Sequence, residues 1–200
     1  MPSETFFRLP VSKQERILAA IREEINKASY DDLSVGSIIR ECGISRGSFY
    51  QYFHNKEDIF RFMIAEYRSS VIDYAKTRIQ ENGGDLFDTV ETTYRHTVRM
   101  LCYKDPRSYR QNLFCNIPLL ADIWTDPAHN ADVYGPLLPM IDRSRLTVTT
   151  DGEVHTLLSM CITVSVKELF GILVADDSEP VALEHFLPKL ALLRAAYSRQ

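Results

Sequence analysis

The stretch Ser34 to Phe60, SVGSIIRECGISRGSFYQYFHNKEDIF, constrains this chain more than any other. Ser34, Ser45 and Asn55 each stand just before a helical run, where a short polar side chain accepts from the orphan N–H groups of a helix start. Gly43 suits the left-handed position that ends a helix, which a Cβ would penalise. The expected elements are a helix over Val35–Cys42, a turn plugged into the core by Ile44, and a second helix from Arg46 to about Phe53. His54-Asn55 then breaks the chain before a further helix from Lys56. Helices this short, with Ile38, Ile39, Cys42, Phe49 and Phe53 on one side, bury that side only by packing on one another and on a neighbour. The pattern is that of a helix-turn-helix unit.

Upstream, residues 1–11 read as a loose arm. Ser12-Lys13-Gln14-Glu15 has the S-x-x-E form of a capping box. Ile17, Ala20, Ile21, Ile25 and Ala28 follow at helical spacing, predicting a first helix that ends near Ser29. Downstream of Lys56 the helical pattern continues through Ile79 and stops at Asn82-Gly83-Gly84. At 1.5 Å per residue that helix spans roughly 40 Å. Further helices are expected over Asp85–Lys104, Arg107 to about Ile123 with a break at Pro118, Glu153–Ala175, and from a Ser178 cap to about Ser198. Ala128–Arg145 is loosely helical, interrupted by Gly135-Pro136 and Pro139. Thr147–Gly152 is the place for a short strand or a mobile loop. The fold class is therefore all-α, with domains at 1–57 and 58–200.

Composition restricts the function. A chain of 200 residues, 45% hydrophobic, has material for a real core. No uninterrupted apolar run reaches the about 18 residues of a membrane span, and the N-terminus lacks a basic region followed by an apolar stretch. Cys42, Cys102, Cys115 and Cys161 are far apart and read as buried small hydrophobes in a reducing cytoplasm, the expected location. The net charge of −4 excludes a general polyanion binder. Between Gly36 and Lys56, however, Arg40, Arg46 and Lys56 face only Glu41, a small cationic patch suited to a short site on DNA.

On a wheel of about 100° per residue, Phe49 and Phe53 form the buried stripe of the second short helix. Gln51 lies opposite, flanked by Gly47 and Ser48, with Tyr50 and Tyr52 on the two edges. This layout suits a helix in a major groove: small residues allow close approach, and Gln pairs with adenine N6 and N7. Arg46 reaches guanine or a phosphate from the helix N-terminus. Ser34 and Lys56 head the flanking helices, where anions are favoured.

The run Cys42-Gly43-Ile44-Ser45, then Gly47-Ser48-Phe49-Tyr50-Gln51-Tyr52-Phe53, then Asn55-Lys56-Glu57-Asp58 resembles the DNA-binding signature of TetR-family (tetracycline-repressor-like) transcriptional regulators. The resemblance covers about Ser12 to Met63. It implies an all-α homodimer with an N-terminal three-helix helix-turn-helix domain and a C-terminal helical ligand-binding and dimerisation domain. It also implies repression through a palindromic operator and release by a small-molecule effector, with no cofactor. The family's contacts fall here on Ser34, Val35 and Gly36, on Arg46, Gly47, Ser48, Tyr50, Gln51 and Tyr52, and on Lys56. Val35 and Gly36 depart from the polar or basic side chains common there, which leaves the preceding helix little base reading.

In the C-terminal part, the resemblance implies that the last two long helices pair with their symmetry mates. The sequence points the same way, since both are apolar on more than one face. Met160, Val164, Phe170, Leu183, Leu187 and Leu190 are the interface candidates. An effector cavity is expected between the long helix from Lys56 and the helices of Asp85–Arg145. Its candidate lining is Tyr94, Met100, Tyr103, Phe114, Trp124 and Tyr134, with His96 or Arg99 as polar anchor, for an apolar or aromatic molecule. Two other classes are weighed against a regulator. One is a helical small-molecule-binding or scaffold protein without a DNA role, and the other an all-α enzyme. No H-E-x-x-H, phosphate loop or G-x-S-x-G occurs, and His129 and Asp132 are a lone i,i+3 pair, so neither a catalytic nor a metal site is expected.

Overall fold

The computed structural model describes residues 2–102, 112–113, 134–175 and 178–199. These residues are helical apart from turns and one isolated bridge between Leu146 and Ser198. The described residues divide into two compact units, one of residues 2–68 with 112–113, the other of 69–102 with 134–175 and 178–199.

The first unit contains α1 (Glu4–Phe7), α2 (Val11–Lys27), α3 (Val35–Cys42), α4 (Arg46–Tyr52) and the start of α5 (Lys56–Glu81). Its core is aliphatic from α2 and α3, with Ile17, Ile21, Ile25 and Ile38 at 0% exposure, and aromatic from the segments after them, with Phe49, Phe53 and Phe60. The caps of α3 and α4 form as expected. Ser34 Oγ accepts from Ser37 N at 3.2 Å, and Ser45 Oγ from Ser48 N at 3.1 Å. Gly43 takes φ 63°, with Ile44 N donating back to Ile39 O at 3.3 Å. Asn55 Oδ1 accepts from Asp58 N at 2.8 Å, and Asp58 reaches back to His54 N at 3.1 Å, which starts α5.

Two expectations near the N-terminus are corrected. The capping box at Ser12 and Glu15 does not cap the helix, because α2 begins at Val11 behind Pro10. Proline presets the backbone angle of the entry, and Pro10 O takes the N–H groups of Lys13 and Gln14. Nor is the segment before it a loose arm. It forms α1, and both Pro2 and Phe6 are buried.

The second unit is built from the end of α5, α6 (Leu86–Cys102), α7 (Asp151–Ala175) and α8 (Glu179–Tyr197), with 3-10 turns at Gly135–Met140 and Arg143–Arg145. α6, α7 and α8 pack pairwise around Phe87, Tyr94, Val98, Val154, Leu157, Cys161 and Phe186. α5 ends on Gly83 and Gly84, both at positive φ, with Gly84 N donating to Ile79 O at 2.8 Å. Asn82 then holds the start of α6: its amide donates to Asp88 and Thr89, each at 2.9 Å, and its oxygen accepts from Asp85 N.

The link before α7 is neither strand nor loop throughout. Leu146 and Thr147 pair with the chain end through Thr147 N to Tyr197 O at 2.9 Å, and Arg199 N donates to Arg145 O at 2.9 Å. Thr150 and Glu153 form a reciprocal capping box, so α7 starts at Asp151 rather than at Glu153. Ser178 holds the N-cap position of α8 but makes no side-chain cap bond.

Candidate nucleic-acid interface

The site grows out of α4, a helix of 7 residues. Its inner side carries Phe49 and Tyr52 at 0% and 4% exposure, followed by Phe53 at 0%. Three aromatic anchors on so short a helix leave it little freedom to roll. What remains outside is Arg46, Gly47, Tyr50 and Gln51, all exposed, with Ser48 half-buried.

Each exposed group has a defined setting. The Arg46 guanidinium lies 5.7 Å from the Tyr50 ring centroid, a cation–π contact that gathers both at one end of the face. A Cβ added to Gly47 would meet nothing within 4 Å, so the glycine leaves open space for a close approach. Ser48 Oγ is 2.9 Å from Ser45 Oγ, tying its hydroxyl to the cap. Tyr50 retains 38% exposure. Gln51 projects from the opposite side to the buried stripe, as the wheel predicts.

Tyr52 is a correction to that wheel. It was expected on an edge, yet its ring sits in the core, 6.1 Å from Phe6, with Lys13 Nζ 5.9 Å above it. The docked segment around Phe6 covers the flank that an isolated three-helix unit would leave open. A lone helical wheel cannot show a neighbour from 46 positions upstream.

The flanking positions are also placed. Ser34 N donates to Glu24 Oε1 at 2.9 Å, so α2 holds the first residue of the α3 entry while the hydroxyl serves as cap. Val35 is half-buried, and Gly36 is exposed, where an added Cβ would come within ordinary contact of Ser34 Oγ at 3.7 Å. Lys56 heads α5, and its Nζ donates to Asp31 O at 2.9 Å. That bond, with Tyr30 edge-on to Phe60 at 5.0 Å, closes the turn between α2 and α3. Arg40, exposed on α3 and donating to Ser37 Oγ at 3.3 Å, adds a cation that the sequence counted in its patch without giving it a contact. Its i,i+3 spacing from Ser37, on the face away from Ile38 and Cys42, was the available signal.

The effector and dimer candidates lie in different settings. Tyr94 fills the core of the second unit: it is stacked on Phe186 at 3.7 Å between centroids, and its hydroxyl donates to Ala182 O at 3.4 Å. Burial pushes that phenol's pKa well above its ordinary value. His96 stacks on Tyr74 at 4.0 Å, Met100 is half-buried, and Tyr134 packs on the core edge. Arg99 points to Glu179 at 3.5 Å. Tyr103, Phe114 and Trp124 lie outside the described residues, as do Cys115, His129 and Asp132. On α7 and α8, Met160 is 39% exposed, while Val164, Phe170, Leu183 and Leu187 are half-buried. Leu190, at 3%, belongs to the protomer core and is not free for a partner.

An all-α chain with a capped helix-turn-helix and an exposed, groove-sized second helix is the class that these features define. Residues 17–63 match the family model of bacterial regulatory proteins of the tetR family. An uncharacterized HTH-type transcriptional regulator, YdgC of Bacillus subtilis, is 33% identical over 36% of this chain and 37% of its own length. The matched part thus spans less than half of that relative. A TetR-family transcriptional regulator from Pectobacterium atrosepticum superposes with a TM-score of 0.68 at 17% identity, over 93% of this chain and 95% of that one. The regulator FadR from Bacillus subtilis, solved in complex with stearoyl-CoA, gives 0.58 at 19% over 90% and 96%. The tetR-family match thus lies on residues 17–63, the helix-turn-helix part, and the fold is similar to that of TetR-family regulators.

Proposed function

We propose that the protein is a sequence-specific transcriptional regulator, a cytoplasmic, ligand-responsive repressor that binds a palindromic operator as a homodimer. The observation that carries this reading is the face of α4. Arg46, Gly47, Tyr50 and Gln51 are exposed together on a helix whose other side is locked by Phe49, Tyr52 and Phe53. In the major groove, Gln51 reads adenine, Arg46 reads guanine or a phosphate, and Tyr50 reaches the backbone. Ser34 and Lys56 hold phosphates on either side.

Pairing is supported by α7. Asp151–Gly171 is long and apolar enough by length and composition to cross a membrane, although the longest apolar runs in the sequence are shorter. Only 22% of that stretch is buried within the chain, and Val154, Leu157, Leu158 and Cys161 account for its buried side. A shallow groove of about 360 Å³ runs along the other side, lined by His155, Ser159, Met160, Thr163, Val164 and Leu193. A second copy of α7 and α8 covers such a face. Two copies present two α4 helices to successive major grooves, roughly 34–36 Å apart. Effector binding works by favouring a different spacing.

The test is salt-dependent binding to a duplex taken from beside the protein's own coding region. Specific retention with a negative log–log salt slope is expected. Binding no tighter than to a random duplex refutes the regulator, and an effector that leaves operator affinity unchanged refutes the release mechanism.

A further inference from the structure

A helix of two turns has its last four carbonyls without partners inside the helix, and α4 is such a helix. Phe49 O is taken by Phe53 N at 3.0 Å. The carbonyls of Gln51 and Tyr52, the last two of the helix, find their partner far away in sequence. Ser3 Oγ donates to Gln51 O at 2.5 Å, and Ser3 N donates to Tyr52 O at 2.9 Å. One residue thus closes two carbonyls at the C-terminal end of the reading helix.

Ser3 gives this bond at the expense of its local role. It occupies the N-cap of α1, where a serine hydroxyl ordinarily accepts from its own helix, yet it makes no such side-chain bond. The hydroxyl is turned to α4 instead. Phe6, one turn on, is at 0% exposure against Phe53 at 5.3 Å, Phe62 at 5.7 Å and Tyr52 at 6.1 Å. The other end of α1 is tied down as well: the Gln14 amide on α2 donates to Leu9 O at 2.8 Å and Phe7 O at 3.3 Å. The N-terminal segment is therefore a strap fastened to α2 at one end and to α4 at the other.

We propose that Ser3 and Phe6 are positioning residues for base recognition, with the strap setting the C-terminal turn of α4 and hence the pitch of the Gln51 side chain. This rests on the DNA-reading function proposed above. Gln51 is the residue whose backbone carbonyl Ser3 holds, so a frayed last turn moves Gln51 before it moves Arg46 or Gly47 at the other end. The phosphate contacts at Ser34 and Lys56 do not depend on the strap.

Full-length wild type, Ser3→Ala, Ser3→Thr and Phe6→Ala are compared on a duplex that the wild type enriches from a random library and on its scrambled form. Amide hydrogen exchange is followed in parallel. Ser3→Ala is expected to speed exchange at Tyr52 and Phe53 without changing α8. It should also lower the ratio of enriched to scrambled affinity about five-fold, the scale of one net hydrogen bond, while the salt slope stays constant. Ser3→Thr restores both, and Phe6→Ala repeats both more strongly. A merely structural strap would lower affinity for both duplexes together and leave the ratio unmoved, which overturns the proposal. Unchanged exchange at Tyr52 and Phe53 in Ser3→Ala overturns it too. A wild type that enriches no duplex refutes the DNA reading itself. An enriched duplex whose ratio survives Ser3→Ala refutes only the strap's role.

Discussion

Tyr50 and Tyr52 stand two positions apart on one helix and have different fates. Tyr50 keeps 38% of its surface and sits beside Arg46, whereas Tyr52 keeps 4% and packs against Phe6. Tyr50→Phe should therefore weaken binding to every duplex, and Tyr52→Phe should leave it within about two-fold, since a buried ring loses no groove contact. Gln51→Ala should relax base choice by about 1–3 kcal/mol at the contacted position with an unchanged salt slope. Competition titrations against single-base variants of the operator separate these cases. Lys56→Ala should reduce the slope by about one, read in a variant checked by thermal melting because Lys56 also holds Asp31 O. Cys161 supplies a prediction in pH. Burial pushes its thiol from 9.0 up to about 12, so the folded state retains a proton that the unfolded state releases. Its stabilising effect is complete below the unfolded value and is lost as pH rises from about 9 to about 12. The urea midpoint of the wild type should fall more steeply over the lower part of that window than that of Cys161→Val.

Among the elements, the end of α5 is the most sharply specified. Gly84 has φ +86°, and a Cβ there would lie 2.6 Å from Asp142 N and 2.9 Å from Met140 O. Asp142 N donates to Gly84 O at 2.9 Å, so the turn and the segment after it are in direct backbone contact. Gly84→Ala combines a left-handed conformation with overpacking and should cost about 2–5 kcal/mol in urea denaturation. A loss under 1 kcal/mol would mean that the segment yields easily. Gly43→Ala has open space around it and should cost only the conformational part, about 1–2 kcal/mol. These ends were legible because caps are local: Ser34, Gly43, Ser45, Asn55 and Asn82-Gly83-Gly84 each act within a few residues. The start of α1 was not, since Phe6 is buried in an aromatic pocket made by distant residues, while the start of α2 was placed at Ser12 although Pro10 carries the entry.

At the scale of the molecule, α7 decides most. A helix with 22% of its apolar stretch buried in its own chain needs another surface, and the proposed one is its own copy. Met160→Asp should shift the sedimenting species from dimer to monomer and reduce operator affinity with it, because one weakly cationic α4 binds a half-site poorly alone. A variant that sediments as the wild type would remove Met160 from the interface. Leu190→Asp should instead unfold the protomer, its side chain being part of the internal core.

Helix ends such as those at Ser34 and Ser45, the buried stripe of Phe49 and Phe53, and the turn at Gly43 follow from local spacing, since capping and amphipathicity act over a turn or two of helix. The burial of Tyr52 and Leu190, the docking of Phe6 and the bonds from Ser3 to α4 depend on residues dozens of positions apart meeting in a packed core. Those were settled only in three dimensions, where a side chain's exposure is the sum of all its neighbours.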